Sequence, residues 1–443
     1  MKTVMITCFH PHISRNVLRA GVLEHILNAG VRIVLLVPPK KVEYFRSTFP
    51  NKGIFVEGIS IPKKRIEGLV MLFAFGLFNI QNRVVREWKQ KKWFLYALAV
   101  LINNTLAHIH VLRSWLRTFS SKFLDTAALD SLIQKYNPNL IVTTDTFFRE
   151  DRAISITAKK RRIKTVGMLR SWDNATTKGL FLCEPDIITV PNEILKDELV
   201  SIHRVKENSI VVTGWPHYDS VINKPTLSRK AFLTSMGLDP KRKTILYAPG
   251  GEILYKHDRE ILSMLKRLVD TNAFEHPVQF LVRLPPSDVL DTSPIEGVEH
   301  FVIDKPGTNL TGRKKDSEIS LADQQHLENS LHHADLVLTL VSTIALDGAF
   351  YGKPVAFIAF DAPGADIQSV KTLTIRLHFK KLLESGLVDV PRSEEELVAS
   401  IDDQLTSPAL YEEKRKKLIA QYAYKLDGKS SERVASVILK ELQ

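Results

Sequence analysis

Residues 334–360, ADLVLTLVSTIALDGAFYGKPVAFIAF, restrict the fold more than any other stretch of the chain. Leu336 to Val341 is an apolar, branched run, short enough for a strand buried on both faces of a parallel sheet. Ser342 and Thr343 stand where that strand ends and a helix begins. Ile344 to Tyr351 reads as the helix, Gly352 as its stop, and Pro354 prevents it from continuing. Val355 to Phe360 is the next strand. Two hydroxyls and the backbone N–H groups of a helix start suit an anion, of which phosphate is the commonest. Asp347, one turn further on, either reaches a ribose or faces solvent.

The same strand–turn–helix pattern recurs along the chain. Thr3 to Phe9 is a first strand, followed by the loop His10-Pro11-His12-Ile13-Ser14-Arg15, a helix to Asn28 and a second strand, Val31 to Val37. Leu140 to Thr144 ends in Asp145 and Thr146, with a helix starting near Glu150 and Asp151. Thr165 to Leu169 ends in RSWDNATTKG (170–179), and Ile210 to Thr213 leads into GWPHYD (214–219). Between 221 and 242 the apolar signal thins, which reads as a linker. Thr244 to Ala248 then opens a second set, ending in Pro249-Gly250-Gly251-Glu252, with Val278 to Leu284 and Phe301 to Ile303 as further strands. The polar stretch 308–320 is expected to be a mobile loop. Three helices, within 393–405, 411–424 and 430–442, close the chain. With 443 residues two cores are expected. The division reads as a first domain at 1–220, the linker at 221–242 and a second domain at 243–443, each a doubly wound α/β sheet.

Residues 60–122 depart from this pattern. Two apolar runs, 68–80 and 93–102, are each too short for the roughly 20 residues that span a bilayer. Around them lie eleven cations against two anions, Glu67 and Glu87. This stretch reads either as core helices with a solvated basic face or as a monotopic membrane surface, with Trp93 at the headgroups and Lys89, Lys91 and Lys92 on anionic lipid. The formal net charge of the whole chain, +12, points to an acidic partner. No motif for nucleic acid supports that alternative. Cys8 and Cys183 are the only cysteines and form no metal-type pair, so a reducing cytoplasm is expected. The N-terminus reads as a strand and lacks the long apolar region of a signal peptide.

Several stretches resemble one group of enzymes. YAPGGE (247–252), GWPHYD (214–219), LVRLPPSD (281–288) and the 334–355 segment are similar to corresponding turns in CDP-glycerol glycerophosphotransferases and related surface-polysaccharide glycosyltransferases. The resemblance implies the GT-B fold, in which two Rossmann-like doubly wound domains face a cleft. Two departures are visible. Pro285 replaces the His of an R-x-H-P-type loop, and Leu340-Val341 replaces an Asp-Tyr pair. PNLIVTTDTFF (138–148) and TVGMLRSWDN (165–174) are also similar to UDP-N-acetylglucosamine 2-epimerases. Those enzymes' T-x-H-R-x-E-N and Gly-Gly-x-x-Glu-Glu stretches are missing here, which argues against epimerisation.

The resemblance implies a transferase that needs no metal and no cofactor beyond its nucleotide-activated substrate. Donor phosphates would lie against Gly250, Gly251, Arg283, Ser342 and Thr343, with Asp347 near the ribose. An acceptor hydroxyl needs a base from the first domain. Asp173 is the first choice, His10 the second, and Asp145 either a third or a helix cap. The expected reaction moves a sugar from a nucleotide-diphosphate donor to a lipid-linked or surface glycan, at the cytoplasmic face of the membrane. The alternatives are CDP-polyol phosphotransfer and a non-catalytic nucleotide- or anion-binding protein.

Overall fold

A computed structural model of the chain describes residues 1–443 except 79–84, 86–87, 90, 123–126, 252–254, 287–289, 310–316, 341, 363–368 and 375. Glu252, Val341, Arg83, Arg86, Glu87 and the Ser287-Asp288 end of the Pro285 loop, all used in the sequence reading, lie outside the described residues. The chain divides into two compact units, Met1–Asp219 with Gly428–Gln443, and Ser220–Asp427.

Unit 1 is built on a seven-stranded parallel sheet: β1 (Thr3–Thr7), β2 (Arg32–Val37), β3 (Ile54–Gly58), β4 (Leu140–Thr143), β5 (Lys164–Met168), β6 (Ile187–Val190) and β7 (Ile210–Val212). Their order is β3-β2-β1-β4-β5-β6-β7, so the direction of winding reverses between β1 and β4. Alternate residues serve opposite faces, as the pleat requires. Val4 and Ile6 join one apolar core with Val17, Val22 and Ile26, whereas Met5 joins another with Leu129 and Ile154. The central strands therefore carry apolar residues on both faces, which is what made them legible.

Three helices, Ile66–Gly76, Trp93–Leu106 and His110–Lys122, form a separate apolar cluster with Leu180 and Leu182. Glu67 anchors the first of them, accepting from the Lys64 backbone N–H at 2.9 Å and pairing with Arg149 at 2.6 Å. The core-helix reading of 60–122 thus accounts for its inner face. The outer face is different: Trp93, Phe94, Leu101, Val111 and Trp115 are 55–75% exposed. Among the described residues no helix is long and apolar enough to cross a membrane.

Unit 2 carries a five-stranded parallel sheet of β8 (Lys243–Ala248), β9 (Val278–Arg283), β10 (Phe301–Asp304), β13 (Leu336–Thr339) and β14 (Val355–Phe357). The order is β10-β9-β8-β13-β14, again doubly wound, with its reversal between β8 and β13. Inside the stretch expected to be a loop, Thr308–Asn309 (β11) pairs antiparallel with Ser317–Glu318 (β12).

Two boundaries differ from expectation. The helix Ser430–Glu441 belongs to unit 1, where Val434, Ala435 and Ile438 enter the core of β1 and β2. Asp219 fixes its start by accepting the Ser430 and Ser431 backbone N–H groups at 2.8 and 2.7 Å. Gly214 makes room for it. Its φ is +84°, and a Cβ there would lie 2.5 Å from Ser430 Oγ. The expected linker, in turn, holds the helix Arg229–Ser235, capped by Ser228 within unit 2. In the sequence its apolar content was too thin to show a helix that packs by only Phe232 and Leu233.

Candidate active site

In doubly wound sheets ligands gather at the carboxyl ends of strands, where winding reverses. At that edge of unit 1, β1 runs into His10. The His12 backbone N–H donates to His10 Nδ1 at 3.2 Å, and the two rings stack with centroids 5.1 Å apart. Burial, followed by the positive charge of Arg170, His12, Lys178 and Lys41, holds the His10 imidazole far below its ordinary range. His12 is held at about 3 by burial, Arg15 and Arg170. Both rings are neutral at pH 7 and very weakly basic. That argues against His10 as the general base.

Asp145 follows β4 and is 3% exposed. Arg170 Nε lies 2.9 Å from its Oδ2, and Asn174 Nδ2 donates to its Oδ1 at 3.2 Å. Burial raises its pKa, and the Arg170 and Lys178 charges oppose that rise only in part. With both oxygens engaged and no open side, Asp145 positions Arg170 and Asn174 and cannot meet an acceptor. Beneath it Asp151, 1% exposed, accepts from Thr7 Oγ1 and from the Asp145 backbone N–H. Burial first, then the Asp145 charge, pushes Asp151 up to about 8. Asp173 differs from these acids. It is half-buried and accepts from Thr177 Oγ1 at 3.0 Å on Oδ2.

A small pocket in the same unit is lined by Ile13, Asn16, Arg170, Thr189, Trp215 and His217, among others. Burial, Arg15 and His12 push His217 well below its usual range, and its ring lies 4.1 Å from that of Tyr218. Arg170, Lys178, Arg15 and His217 were not assigned a role from sequence, although all four stand inside the quoted strand-end stretches, which was the signal available.

In unit 2 the loops after β8 and β13 are neighbours, joined by Thr339 Oγ1 donating to the Ala248 carbonyl at 2.8 Å. The expected use of Gly250 and Gly251 changes here. Their backbone N–H groups donate to the Asp258 carboxylate at 3.1 and 2.6 Å, and Asp258 is fully buried. The turn thus holds an acid of its own, with Gly251 at φ +77°. Arg283 is likewise committed: 8% exposed, it pairs with Asp304, whose Oδ2 also lies 3.2 Å from His326 Nε2. Burial raises Asp304, but the hydrogen bond from His326 and the Arg283 charge outweigh it and hold the carboxyl below its ordinary range. Ser342 is half-buried and Thr343 exposed, just past the end of β13. Asp347 is 8% exposed, so it does not point openly to solvent. Among the described residues no group of three or more His, Cys, Asp or Glu is arranged to hold a metal ion.

The sequence profile described as CDP-glycerol:poly(glycerophosphate) glycerophosphotransferase matches residues 162–440, well over half of the chain. The chain belongs to this family of transferases. No curated protein matches it in sequence. Among solved structures, UDP-GlcNAc 2-epimerase from Neisseria meningitidis, bound to UDP-GlcNAc, is similar with a TM-score of 0.58 and 13% identity, over 99% of this chain and 100% of that one. A glycosyltransferase from Rickettsia africae is similar with a TM-score of 0.52 and 11% identity, over 99% of each chain. The wall teichoic acid polymerase TagF, soaked with CDPG, gives 0.51 and 14%, over 100% of this chain and 88% of that one. At such identities the likeness is one of fold: two Rossmann-like domains of the GT-B type, as expected for this family member.

Proposed function

We propose that this chain transfers glycerol phosphate, or a closely related polyol phosphate, from a cytidine-diphosphate donor to a hydroxyl of a cell-envelope polymer. The family match across 162–440 carries the reading. It revises the expected sugar donor. In this reaction the acceptor oxygen attacks the phosphorus that bears the polyol. The bond from that phosphorus to the bridging oxygen breaks, and CMP leaves with the electron pair. Asp173 takes the acceptor's proton. Ser342 and Thr343 hold the donor phosphates in unit 2, where Arg283 is neutralised by Asp304 and adds little charge. Asp347, buried beside them, sets the ribose side of that turn.

A second reading keeps sugar transfer, favoured by Pro285 in the loop after β9. There the acceptor attacks an anomeric carbon and a nucleoside diphosphate leaves. The nucleotide product separates the two. Purified protein is incubated with CDP-glycerol and, in parallel, with UDP-, GDP- and dTDP-sugars, and the released nucleotide is identified by chromatography. CMP supports phosphotransfer and a nucleoside diphosphate supports sugar transfer. Asp173→Asn should lower turnover by about a hundredfold or more. Turnover of no donor, or full activity in Asp173→Asn, refutes the proposal.

The acceptor we propose is lipid-linked. The exposed Trp93 and Phe94, with exposed Lys89, Lys91 and Lys92 beside them, form the surface that would lie on the anionic cytoplasmic leaflet. Nucleic acid is not the partner proposed for this charge.

A further inference from the structure

The carboxyl edge of unit 1 carries more positive charge than a proton acceptor needs. His10 follows β1 at the reversal of winding, with β2 on one side and β4 on the other. Because the His12 backbone N–H donates to His10 Nδ1, that nitrogen accepts and the neutral ring keeps its proton on Nε2. Nε2 makes no hydrogen bond among the described residues, and His10 is only half-buried. The charged side chains that act on this ring come from two loops: Arg170 and Lys178 after β5, and the buried Lys41 after β2. Arg15 acts on the neighbouring His12. Arg170 is partly spent on Asp145, but Lys178 and Arg15 form no ion pair among the described residues.

We propose that His10 Nε2–H, together with Lys178 and Arg170, binds a phosphoryl group of a substrate. The site offers a neutral N–H donor of fixed tautomer, set among cations. Such a donor can bind an anion without first taking up a proton, and protonating Nδ1 would break the bond from His12. His10 therefore recognises charge and does not move protons. The proposal rests on the transferase reading only for the source of the phosphate, which is either the acceptor chain or the nucleotide donor.

The test is calorimetric titration of the full-length protein, without turnover, using sn-glycerol 3-phosphate, CMP and uncharged glycerol as probes. His10→Leu and Lys178→Gln should each weaken binding of one of the two phosphates about tenfold or more, as expected for a lost hydrogen bond to a charged group. His10→Gln, which retains an N–H donor, should stay within about threefold of wild type. Loss confined to glycerol 3-phosphate assigns the site to the acceptor, and loss confined to CMP assigns it to the donor. Either result supports the proposal. Unchanged affinities in both His10→Leu and Lys178→Gln, or glycerol binding as tightly as its phosphate, overturn it. If His10→Leu fails to fold, Lys178→Gln decides the matter alone. Anion binding lost in the variants of a protein that turns over no donor would leave this site standing and remove the proposed function. Donor turnover with unaffected binding would do the reverse.

Discussion

Replacing Asp258 by Ala should destabilise unit 2 severely while leaving unit 1 intact. Asp258 is fully buried and accepts two backbone N–H groups, from Gly250 at 3.1 Å and Gly251 at 2.6 Å. Hydrogen bonds to a charged group are worth roughly 1.5–3 kcal/mol each, and deletion also strands both donors in the interior. Water entering the vacated space returns part of that, so about 4 kcal/mol is the expected net loss. At about 2–4 °C per kcal/mol for a unit of this size, the transition should fall by roughly 8–16 °C. The chain supplies its own internal control. All five tryptophans, at 88, 93, 115, 172 and 215, lie in unit 1. Tryptophan fluorescence therefore follows unit 1, whereas far-ultraviolet circular dichroism follows both. The dichroism should show one component shifted down with the fluorescence midpoint held within about 2 °C, and Asp258→Asn, which keeps one acceptor oxygen, should lose about half as much. A fall of less than about 3 °C in Asp258→Ala would mean that the amides of the glycine turn are free to serve a ligand, and the assignment of that turn to Asp258 would be wrong.

Three further outcomes are expected. Replacing Lys89, Lys91 and Lys92 together by Gln should weaken flotation with phosphatidylserine vesicles about a hundredfold, at about 1 kcal/mol per cation, and 0.5 M salt should have a similar effect on wild type; binding unaffected by either removes the membrane surface. Asp151 is protonated in the folded state up to about pH 8 but ionises in the unfolded chain near its ordinary range, so the fold loses stability as pH rises through that window. Asp151→Asn should escape this loss, so its denaturation midpoint relative to wild type should rise between about pH 4 and 8, and parallel curves would refute the burial argument. Cys8 and Cys183 are both buried, and burial pushes the Cys183 thiol up to about 11. Ellman's reagent at pH 7.5 should find neither thiol until denaturant is added, and both afterwards.

The strands were legible because a parallel sheet covered on both faces demands unbroken apolar runs, and Leu336–Thr339 or Ile33–Val37 can hardly be anything else. β3 escaped notice for the converse reason. It is an edge strand, five residues that follow Gly53 and end on Gly58, with Phe55 39% exposed and only Val56 buried. The loops of the candidate site were equally legible, since each directly follows a strand. Their partners were not. Arg283 meets Asp304 because β9 lies beside β10, and sheet order is a tertiary choice that no local pattern encodes. The same holds for Asp145 and Arg170, brought together by adjacent β4 and β5. Asp219 shows the limit most clearly. Within GWPHYD it reads as a motif acid, yet its ligands are the backbone N–H groups of Ser430 and Ser431, 211 and 212 residues away.

That last pairing bears on how the protein is made. Unit 1 lacks one of its core helices until Ser430–Glu441 emerges, and the whole of unit 2 is translated in between. At about 5–20 residues per second, the nascent chain waits roughly 10–40 s with the apolar surface that Val434 and Ile438 will cover still open to water. Unit 2, in contrast, is a continuous segment that can fold on emergence. The order of completion therefore reverses the order of synthesis: the half that leaves the ribosome first is the last to receive its full core.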